Sequence, residues 1–511
     1  MRCLVIWLMF LFSQLCSAET DAAAACSQTA SATLVSLQGS LYFDPDGHGR
    51  WHVAQLSQAL CEGSRIRVEA DSRATLLLPS GITLRLSGGS VLSLNKIGQQ
   101  DPTLLDLVKG FVHFISRTPK QLQITTPVAN AGPEGTEFAL QADAASASLW
   151  VYEGGVRFFN AYGELRLQPG ESGQTLLGQA PRAQIDIKPR DAVSWALYYP
   201  PLLNYPEPAQ AADPDLRAAI AEFRRGRTDL ALTALAALPP ERQSLQYLKI
   251  RGAMRLSVGQ TETALQDIQA LLAANPGDAD ALALQSILAL SQNRKAEADA
   301  LAKQAVAADN RSAAAHSALS YVQQGQFDLE QALASAERAA ALAPQDALVW
   351  ARLAELRLAL GRRNESRDAA AKAFQLDPNL ERTQTVAGFS QLFDTEIDRA
   401  RRSFETAIRL DSSSPLARLG LGLAKIRGGD LEQGRRELEI AAVLDPENSL
   451  IRSYLAKPIT RNAATGWLPT NSNWPRNETR TIRPRISTTP SANKPPTGRS
   501  RRWRICKTPC N

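Results

Sequence analysis

The chain has 511 residues, which is long enough for two or more domains, and its composition is globular, with 44 % hydrophobic and 21 % charged residues. The formal net charge of +6 is unevenly placed, because residues 458–511 hold eleven basic residues and a single acid, Glu478. A nucleic-acid-binding role argued from basic charge therefore concerns this tail alone. The other residues carry a net charge of −4, and no nucleic-acid partner is expected.

Residues 1–18 are predicted to form a secretory signal peptide. One positive charge, Arg2, precedes a short apolar run that ends in the small residues Cys16-Ser17-Ala18. The run is too short for a comfortable membrane span, although an uncleaved anchor is the alternative. We therefore expect an exported protein, located in a bacterial periplasm or associated with the outer membrane.

Cys26 and Cys61 are the two cysteines that lie between the predicted signal peptide and the tail. An oxidising compartment permits a disulfide bond between them, and two free thiols are the alternative. Such a bond would stabilise the fold by about 3–4 kcal/mol through loop-closure entropy.

Short strand patterns run from Thr33 to about Ile187. Residues 74–94, ATLLLPSGITLRLSGGSVLSL, contain three apolar or alternating runs separated by turn residues that include glycine. Residues 83–86 alternate polar and apolar, as expected of a half-buried strand. Many short strands at close spacing predict an all-β sandwich or roll.

Four stretches in this region resemble a FecR domain, an all-β module of the bacterial cell envelope. They are CEGSRIRVEADSRATLLLPSG (61–81), TTPVANAGPEGTEFAL (125–140), VYEGGVRFF (151–159) and LQPGESG (167–173). We assign residues 30–187 to this FecR-like β domain, with Phe138 in its core. The resemblance implies docking to an envelope component. Regulators of this family carry a cytoplasmic segment and a membrane helix before the domain, and neither is seen here. Since this counts against a signalling role, a periplasmic sensor is only the alternative to docking.

One stretch, DPDGHGRWH (44–52), offers metal-ligand residue types in Asp44, Asp46, His48 and His52. Asp-Pro-Asp-Gly is also a strong turn signal, and no further cluster supports a metal site. The sequence contains no phosphate-binding loop and no nucleophile elbow. We therefore expect no metal, no cofactor and no enzymatic activity.

Exposed aromatic side chains would permit a further alternative, a peptidoglycan- or glycan-binding module. Trp51 and Trp150 are the candidate platforms, although core packing is the simpler interpretation of both.

Residues 188–212 are then predicted to close the β domain with an amphipathic helix, DAVSWALYY (191–199), and to continue as a Pro-rich linker.

From residue 213 onwards the sequence repeats every 34 residues. Small residues recur at Gly252, Ser286, Ser320, Ala354, Gly388 and Gly422, and again at Ala264, Ala298, Ala332, Ser366, Ala400 and Gly434. A turn residue follows at the same step, at Pro276, Asn310, Pro344, Pro378, Ser412 and Pro446. Small residues let two helices approach to about 8–10 Å, and proline ends the second helix. One unit cannot bury its own apolar face, so the units must stack.

This pattern resembles the tetratricopeptide repeat, a helix–turn–helix unit. We expect an α-solenoid over residues 213–448, with six full units from residue 245 and the start of a seventh at 449–457. The resemblance implies a protein or peptide partner in the concave groove lined by the first helices. When the groove-lining positions of the family are transferred to the repeats of this chain, the resemblance implies the following partner-binding residues: Tyr321, Gln324, Glu355, Leu358, Arg382, Phe389, Leu419 and Leu423. Packing or solvated positions are the alternative for each.

The repeat pattern stops at Pro458, inside the seventh unit. Residues 458–511 are predicted to be a disordered basic tail. We interpret the tail as the product of a frameshift that truncates the protein. Read from each codon's third base, the Trp474–Pro475 junction can encode only alanine, which falls 34 residues after Ala441. The intact protein would then be longer, with more repeats.

The predicted fold class is thus multidomain β plus α, with an N-terminal all-β FecR-like domain followed by a solenoid of tetratricopeptide-type helix pairs. The predicted function is that of a non-enzymatic, exported scaffold or adaptor. It would hold a protein partner in the solenoid groove and dock an envelope component through the β domain.

Overall fold

The structure, a computed structural model, describes residues 31–97, 102–116, 122–134, 137–184, 189–203, 205, 214–446 and 448–456. The predicted signal peptide, Cys26 and the basic tail lie outside the described residues, so what the sequence indicates for them stays a prediction. Among the described helices, none combines the length and the apolar character that a membrane crossing requires.

The N-terminal region is built from β-strands, as the sequence predicts. The described strands are β1 (Ser31–Gln38), β2 (Leu41–Asp44), β3 (His52–Val53), β4 (Ala59–Cys61), β5 (Arg65–Val68), β6 (Arg73–Leu77), β7 (Thr83–Leu86), β8 (Val91–Lys96), β9 (Thr103–Ile115), β10 (Leu122–Thr125), β11 (Asn130–Pro133), β12 (Glu137–Ala142), β13 (Ser146–Glu153), β14 (Val156–Asn160), β15 (Gly163–Leu167), β16 (Ser172–Leu176) and β17 (Arg182–Gln184).

The strands form two layers that share the long strand β9. The first layer has the order β4-β1-β6-β7-β9-β12-β13-β16-β17. The second has the order β3-β2-β5-β8-β9-β10-β11-β14-β15, in which β9 and β10 are parallel. Apolar side chains of both layers form one core, in which the ring of Phe114 stacks on that of Phe138 at 4.6 Å.

Gly110 is where β9 passes from one layer to the other. Residues 104–109 pair with β8 in the second layer, and residues 110–115 pair with β12 in the first. Gly110 has a φ of +105°, and a Cβ atom there would lie 2.4 Å from the Cα of Ser90. Only glycine tolerates both the backbone conformation and the close approach, so this residue sets the corner of the sandwich.

The C-terminal region is a series of antiparallel helix pairs. The described helices are α1 (Pro214–Arg224), α2 (Thr228–Ala236), α3 (Leu245–Ser257), α4 (Thr261–Ala274), α5 (Ala279–Ser291), α6 (Lys295–Ala308), α7 (Ala313–Gly325), α8 (Leu329–Leu342), α9 (Ala347–Ala359), α10 (Arg363–Leu376), α11 (Glu381–Phe393), α12 (Ile397–Leu410), α13 (Pro415–Arg427), α14 (Leu431–Leu444) and α15 (Ser449–Ala456).

The small residues of the 34-residue series lie where the two helices of a pair cross. The Ser286 hydroxyl donates to the carbonyl oxygen of Ala298 at 2.8 Å, and a Cβ atom on Gly422 would lie 2.9 Å from the carbonyl oxygen of Gly434. The close approach explains why these positions hold only Gly, Ala or Ser. The predicted fold class, a β-rich region followed by a helical solenoid, is confirmed.

The segment between the two regions differs from the predicted amphipathic helix at 191–199. The structure has a 3-10 helix at Pro189–Ala196, and the chain then continues without regular secondary structure to residue 203. Pro200 and Pro201 explain the difference, because a residue that precedes proline is disfavoured in the α conformation. We call residues 193–203 the inserted segment.

Candidate partner-binding groove

The first helix of each pair lines the inner surface of the solenoid, yet several of these helices are buried on all sides. Helix α13 is the clearest case, since ten of its thirteen residues are buried. A helix that bordered an open groove would keep one exposed face. The described chain itself therefore covers much of this surface, in two places.

The inserted segment covers the inner surface at the first repeats. Val193 packs with Ala139 and Trp150 on the outer face of the first β layer. Tyr199 and Leu202 are 3 % and 5 % exposed, and they share one apolar cluster with side chains of α3 to α7. The segment thus runs from the β domain into the solenoid as a buried peptide.

Arg73 joins three parts of the chain with one guanidinium group. Its Nε donates to the side-chain oxygen of Gln38 at 2.6 Å, its Nη1 to the carbonyl oxygen of Leu197 at 2.9 Å and its Nη2 to that of Ser257 at 2.9 Å. Burial lowers the pKa of Arg73 below its ordinary value. The residue fixes β6, the inserted segment and the end of α3 relative to one another.

The β domain covers the solenoid again at its last repeats, where β1 meets the turn before α13. The Ser412 hydroxyl accepts from the backbone N–H of Leu37 at 2.7 Å and donates to the carbonyl oxygen of Leu37 at 2.9 Å. Arg85 donates to the carbonyl oxygen of Val443 at 3.0 Å, and burial lowers the pKa of Arg85 to about 9. Val35 adds an apolar contact with Ile440 and Leu444.

Sequence reasoning missed these contacts between the two regions, although one signal was available. In the series of turn residues, five of the six positions are proline or asparagine, and Ser412 is the exception. The structure explains why proline is absent at this position, because a side chain with both a donor and an acceptor is needed for the two hydrogen bonds to Leu37. Nothing comparable in the sequence marks Arg73 or Arg85.

Four charged or polar side chains meet on the inner surface of α7, α9 and α11, and we call them the groove cluster: Tyr321, Arg352, Glu355 and Arg382. The Arg352 guanidinium lies 3.8 Å from the ring centroid of Tyr321, and its Nη1 is 3.3 Å from an oxygen of Glu355. Arg382 donates to the Tyr321 hydroxyl at 3.0 Å and pairs with Glu355. Burial is the largest single influence and opposes the charge of Arg382, but Glu355, Tyr321, Tyr198 and Glu381 together outweigh it and raise the pKa of Arg382.

Glu381 is a buried carboxyl group beside the groove cluster. One oxygen accepts hydrogen bonds from the hydroxyls of Thr385 at 2.6 Å and Ser414 at 2.5 Å. Burial raises the pKa of Glu381 to about 7, with nearby Asp411 adding to the rise and Arg382 opposing it. The carboxyl group therefore titrates near neutral pH in the folded protein.

This pKa predicts that stability falls as the pH rises. Glu381 would titrate near 4.5 in the unfolded chain, so between that pH and about 7 the folded state binds more protons than the unfolded state. Its contribution to the free energy of unfolding should therefore drop by about 3 kcal/mol over this range and stay level above it. Urea unfolding at several pH values measures the slope. Glu381→Gln should remove most of it, whereas Glu432→Gln, at a site 82 % exposed, should leave it intact.

The residues predicted to bind a partner fall into two groups. Tyr321, Glu355 and Arg382 come together in the groove cluster, and Gln324 and Leu358 are half-buried on the same inner helices. All five lie on first helices of their pairs, with Tyr321 and Gln324 on α7, Glu355 and Leu358 on α9 and Arg382 on α11. A partner contact at any of them stays a prediction.

The remaining three predicted residues pack inside the chain. The ring of Phe389 meets that of Phe404 edge to face at 5.0 Å. Leu419 and Leu423 are 2 % and 5 % exposed, in an apolar cluster that also takes up Leu56 of the β domain. In this conformation Leu419 and Leu423 do not face solvent, because the β domain docks where the open groove was expected.

The other candidate sites have structural explanations. Asp44 and Asp46 accept hydrogen bonds from the backbone N–H groups of Gly49 and His48, as turn residues do, and the described residues hold no group of three or more metal-ligand side chains. Trp150 is 8 % exposed and packs against Phe111.

Two further sequence-predicted residues lie near the surface of the β domain. Trp51 is half-buried, and the guanidinium of Arg67 lies 4.9 Å from its ring centroid. Cys61 is disulfide-bonded; its predicted partner, Cys26, lies outside the described residues, so the pairing itself stays a prediction.

Several solved structures are similar to this chain, and tetratricopeptide proteins are among them. A Thermus thermophilus tetratricopeptide protein is 20 % identical over 35 % of this chain and 98 % of its own, with a TM-score of 0.31. One from Parabacteroides merdae is 18 % identical over 42 % of this chain and 87 % of its own, with a TM-score of 0.33. A chain of the Cut9–Hcn1 hetero-tetramer is 16 % identical over 48 % of this chain, with a TM-score of 0.42, and the match spans about half of that chain, 49 %.

Two protein-family models match this chain, one in each of its regions. No curated protein matches the sequence. Residues 64–157 match the FecR protein family, and residues 255–313 and 390–456 match a tetratricopeptide repeat family. The chain therefore carries a FecR domain followed by tetratricopeptide repeats.

Proposed function

We propose that this protein is a non-enzymatic, exported scaffold. Its repeat solenoid holds a protein partner, and its FecR domain docks a component of the cell envelope. The match of two stretches to the tetratricopeptide repeat family supports a protein-binding role, because stacked helix pairs form the extended binding surfaces of such proteins. The match of residues 64–157 to the FecR family supports an envelope location.

The observation that supports the scaffold role most directly is that the inserted segment is held in the way that an extended peptide ligand would be. Tyr199 and Leu202 are buried among apolar side chains of α3 to α7, while Arg73 of the β domain donates to the backbone of the same segment. Apolar pockets joined to donors for the main chain are what a surface needs to hold an extended peptide. The disulfide bond at Cys61 supports export, because such bonds persist in oxidising compartments.

Photo-crosslinking from the inner surface tests the partner-binding role. A photoreactive residue at Gln324 or Leu358, both half-buried on the inner helices, should give a discrete adduct with one protein in cells that produce the full chain. The matched control is Gln304, which is exposed on the second helix of its pair. Equal labelling from Gln304, or none from the inner positions, would contradict a partner held by the groove.

Cell fractionation with thiol labelling tests export. We expect the full chain in the envelope fractions, with Cys61 protected from alkylation until a reductant is added. A cytoplasmic protein whose Cys61 is alkylated without reductant would contradict export. Cys506→Ser and Cys510→Ser keep the two tail cysteines from confusing the readout.

A periplasmic sensor of the FecR type is the second candidate, and the same family match favours it. The sensor would need an envelope receptor that changes the activity of a signalling partner, whereas the scaffold needs only a stable complex. A glycan-binding module has less support, because Trp150 is buried and Trp51 is covered by Arg67. Retention of the protein on purified cell walls would favour it nevertheless.

A further inference from the structure

The inserted segment crosses the inner surface of the solenoid as a bound peptide would. Its apolar side chains Tyr199 and Leu202 are buried in one cluster with side chains of α3 to α7, and the carbonyl oxygen of Leu197 accepts from Arg73 on strand β6. The Ser194 hydroxyl lies 3.2 Å from that of Thr261 on α4. Just beyond the segment, the ring of Tyr205 packs on Phe223 at 4.8 Å. Each contact is one that a peptide from another protein could make in its place.

The fit of this segment is incomplete at one residue. The hydroxyl oxygen of Tyr198 is buried and has no hydrogen-bond partner among the described residues. Burial raises the pKa of Tyr198 well above its ordinary value, with Glu381 and Asp411 adding to the rise and Arg382 opposing it. A buried hydroxyl that has given up its hydrogen bonds to water weakens binding. The segment is therefore held less tightly than its apolar contacts alone would allow.

Covalent attachment compensates for the imperfect fit. The segment is joined at one end to the β domain and at the other to the repeats, so its effective concentration at the groove is of millimolar order. A free peptide must compete with this tethered occupant, and its observed affinity is the intrinsic affinity multiplied by the fraction of time for which the groove is open. Any change that loosens the segment should then tighten the binding of a competitor.

We propose that the inserted segment is an internal occupant of the partner groove, which a partner protein displaces with an extended segment of the same chemistry. That chemistry is an aromatic residue in the place of Tyr199, prolines that keep the chain extended, and an aliphatic residue in the place of Leu202. The inference rests on the proposed scaffold function. It adds that the partner binds through an extended segment and that residues 193–203 fill the groove until the partner displaces them.

A fluorescent peptide of residues 193–203, VSWALYYPPLL, is the probe, and anisotropy with the full chain measures its binding. Tyr199→Ala and Leu202→Ala should each bind the peptide at least tenfold more tightly than the wild type, because each loosens the occupant. Tyr198→Phe removes the unpartnered hydroxyl and should weaken binding by about threefold or more. A scrambled peptide of the same composition should bind none of them.

The test is decisive because substitutions at two neighbouring tyrosines should change the peptide affinity in opposite directions. A variant that merely unfolds would lose its circular dichroism signal and its cooperative melting, and Tyr198→Phe is not expected to unfold. Equal affinity across the wild type and the three variants would overturn the proposal. If the peptide behaves as expected but crosslinking from Gln324 finds no partner, the scaffold function fails while the internal occupant stands. If crosslinking succeeds and Tyr199→Ala leaves its yield unchanged, the partner uses another surface and the present inference fails.

Discussion

Replacing Arg73 with methionine is expected to release the first repeats from the β domain and to lower the free energy of unfolding by about 3–5 kcal/mol. Methionine keeps much of the side chain's apolar volume but none of its donors. The carbonyl oxygens of Leu197 and Ser257 and the side-chain oxygen of Gln38 would each lose a buried partner. Each unmade hydrogen bond of this kind costs about 1–3 kcal/mol.

Urea unfolding measures this loss, and limited proteolysis shows where it falls. Because Arg73 couples two regions, we expect one cooperative transition in the wild type and two separate transitions in the variant. Arg50→Met is the matched control, since Arg50 forms an exposed ion pair with Asp46 and its loss should cost less than about 1 kcal/mol. An Arg73 variant no less stable than this control would show that the contact does not couple the two regions.

Replacing Gly420 with alanine is expected to destabilise the protein by about 2–3 kcal/mol, although alanine is the better helix former. The new Cβ atom would lie 2.1 Å from Cε1 of Phe404, a ring atom of a fully buried side chain on the neighbouring helix. Gly388 borders the same ring atom, with a Cβ approach of 2.8 Å. The ring therefore has little room to move away.

A substitution at a nearby glycine and a double variant test whether the overlap with Phe404 causes the loss of stability. Gly428 lies at the end of the same helix with a φ of −75°, and a Cβ atom there would meet nothing closer than 3.4 Å, so Gly428→Ala should be neutral or slightly stabilising. Phe404→Leu shortens the side chain at the point of overlap. Combined with Gly420→Ala, it should cost less than the sum of the two single changes. Strict additivity would contradict the steric explanation.

The sequence predicted the repeats well because their cause is local. A helix pair can cross closely only where Gly, Ala or Ser stands, so Gly388 and Gly422 reveal the period without any knowledge of what surrounds them. The β region was predictable for the same reason, since strand alternation and turn glycines are properties of short stretches. Phe138 is buried where the strand pattern put it.

The contacts between the two regions were not predictable in this way. Residues 83–86 alternate polar and apolar, which indicates a strand with one face in water, yet all four are buried. Arg85 and Thr83 face the solenoid, and a local pattern does not reveal what covers the polar side of a sheet. The inner-surface wall with Tyr321 and Arg382 was predicted, but its occupant was not, because the path of the chain after Pro201 depends on tertiary contacts.

The hydrogen bonds between Leu37 and Ser412 join residues 375 positions apart in the chain. A ribosome adds about 5–20 residues per second, so the first strand emerges roughly 20–75 s before the turn that completes its docking. During that interval the outer side of β1 lacks its final contacts, which for Val35 are those with Ile440 and Leu444. On this timing the sandwich can fold first, its contact with the first repeats through Arg73 can follow, and the docking of β1 on the last repeats must come last. A chain interrupted before Ser412 would still make the contact of Arg73 with the first repeats but would lack the docking of β1 on the last ones.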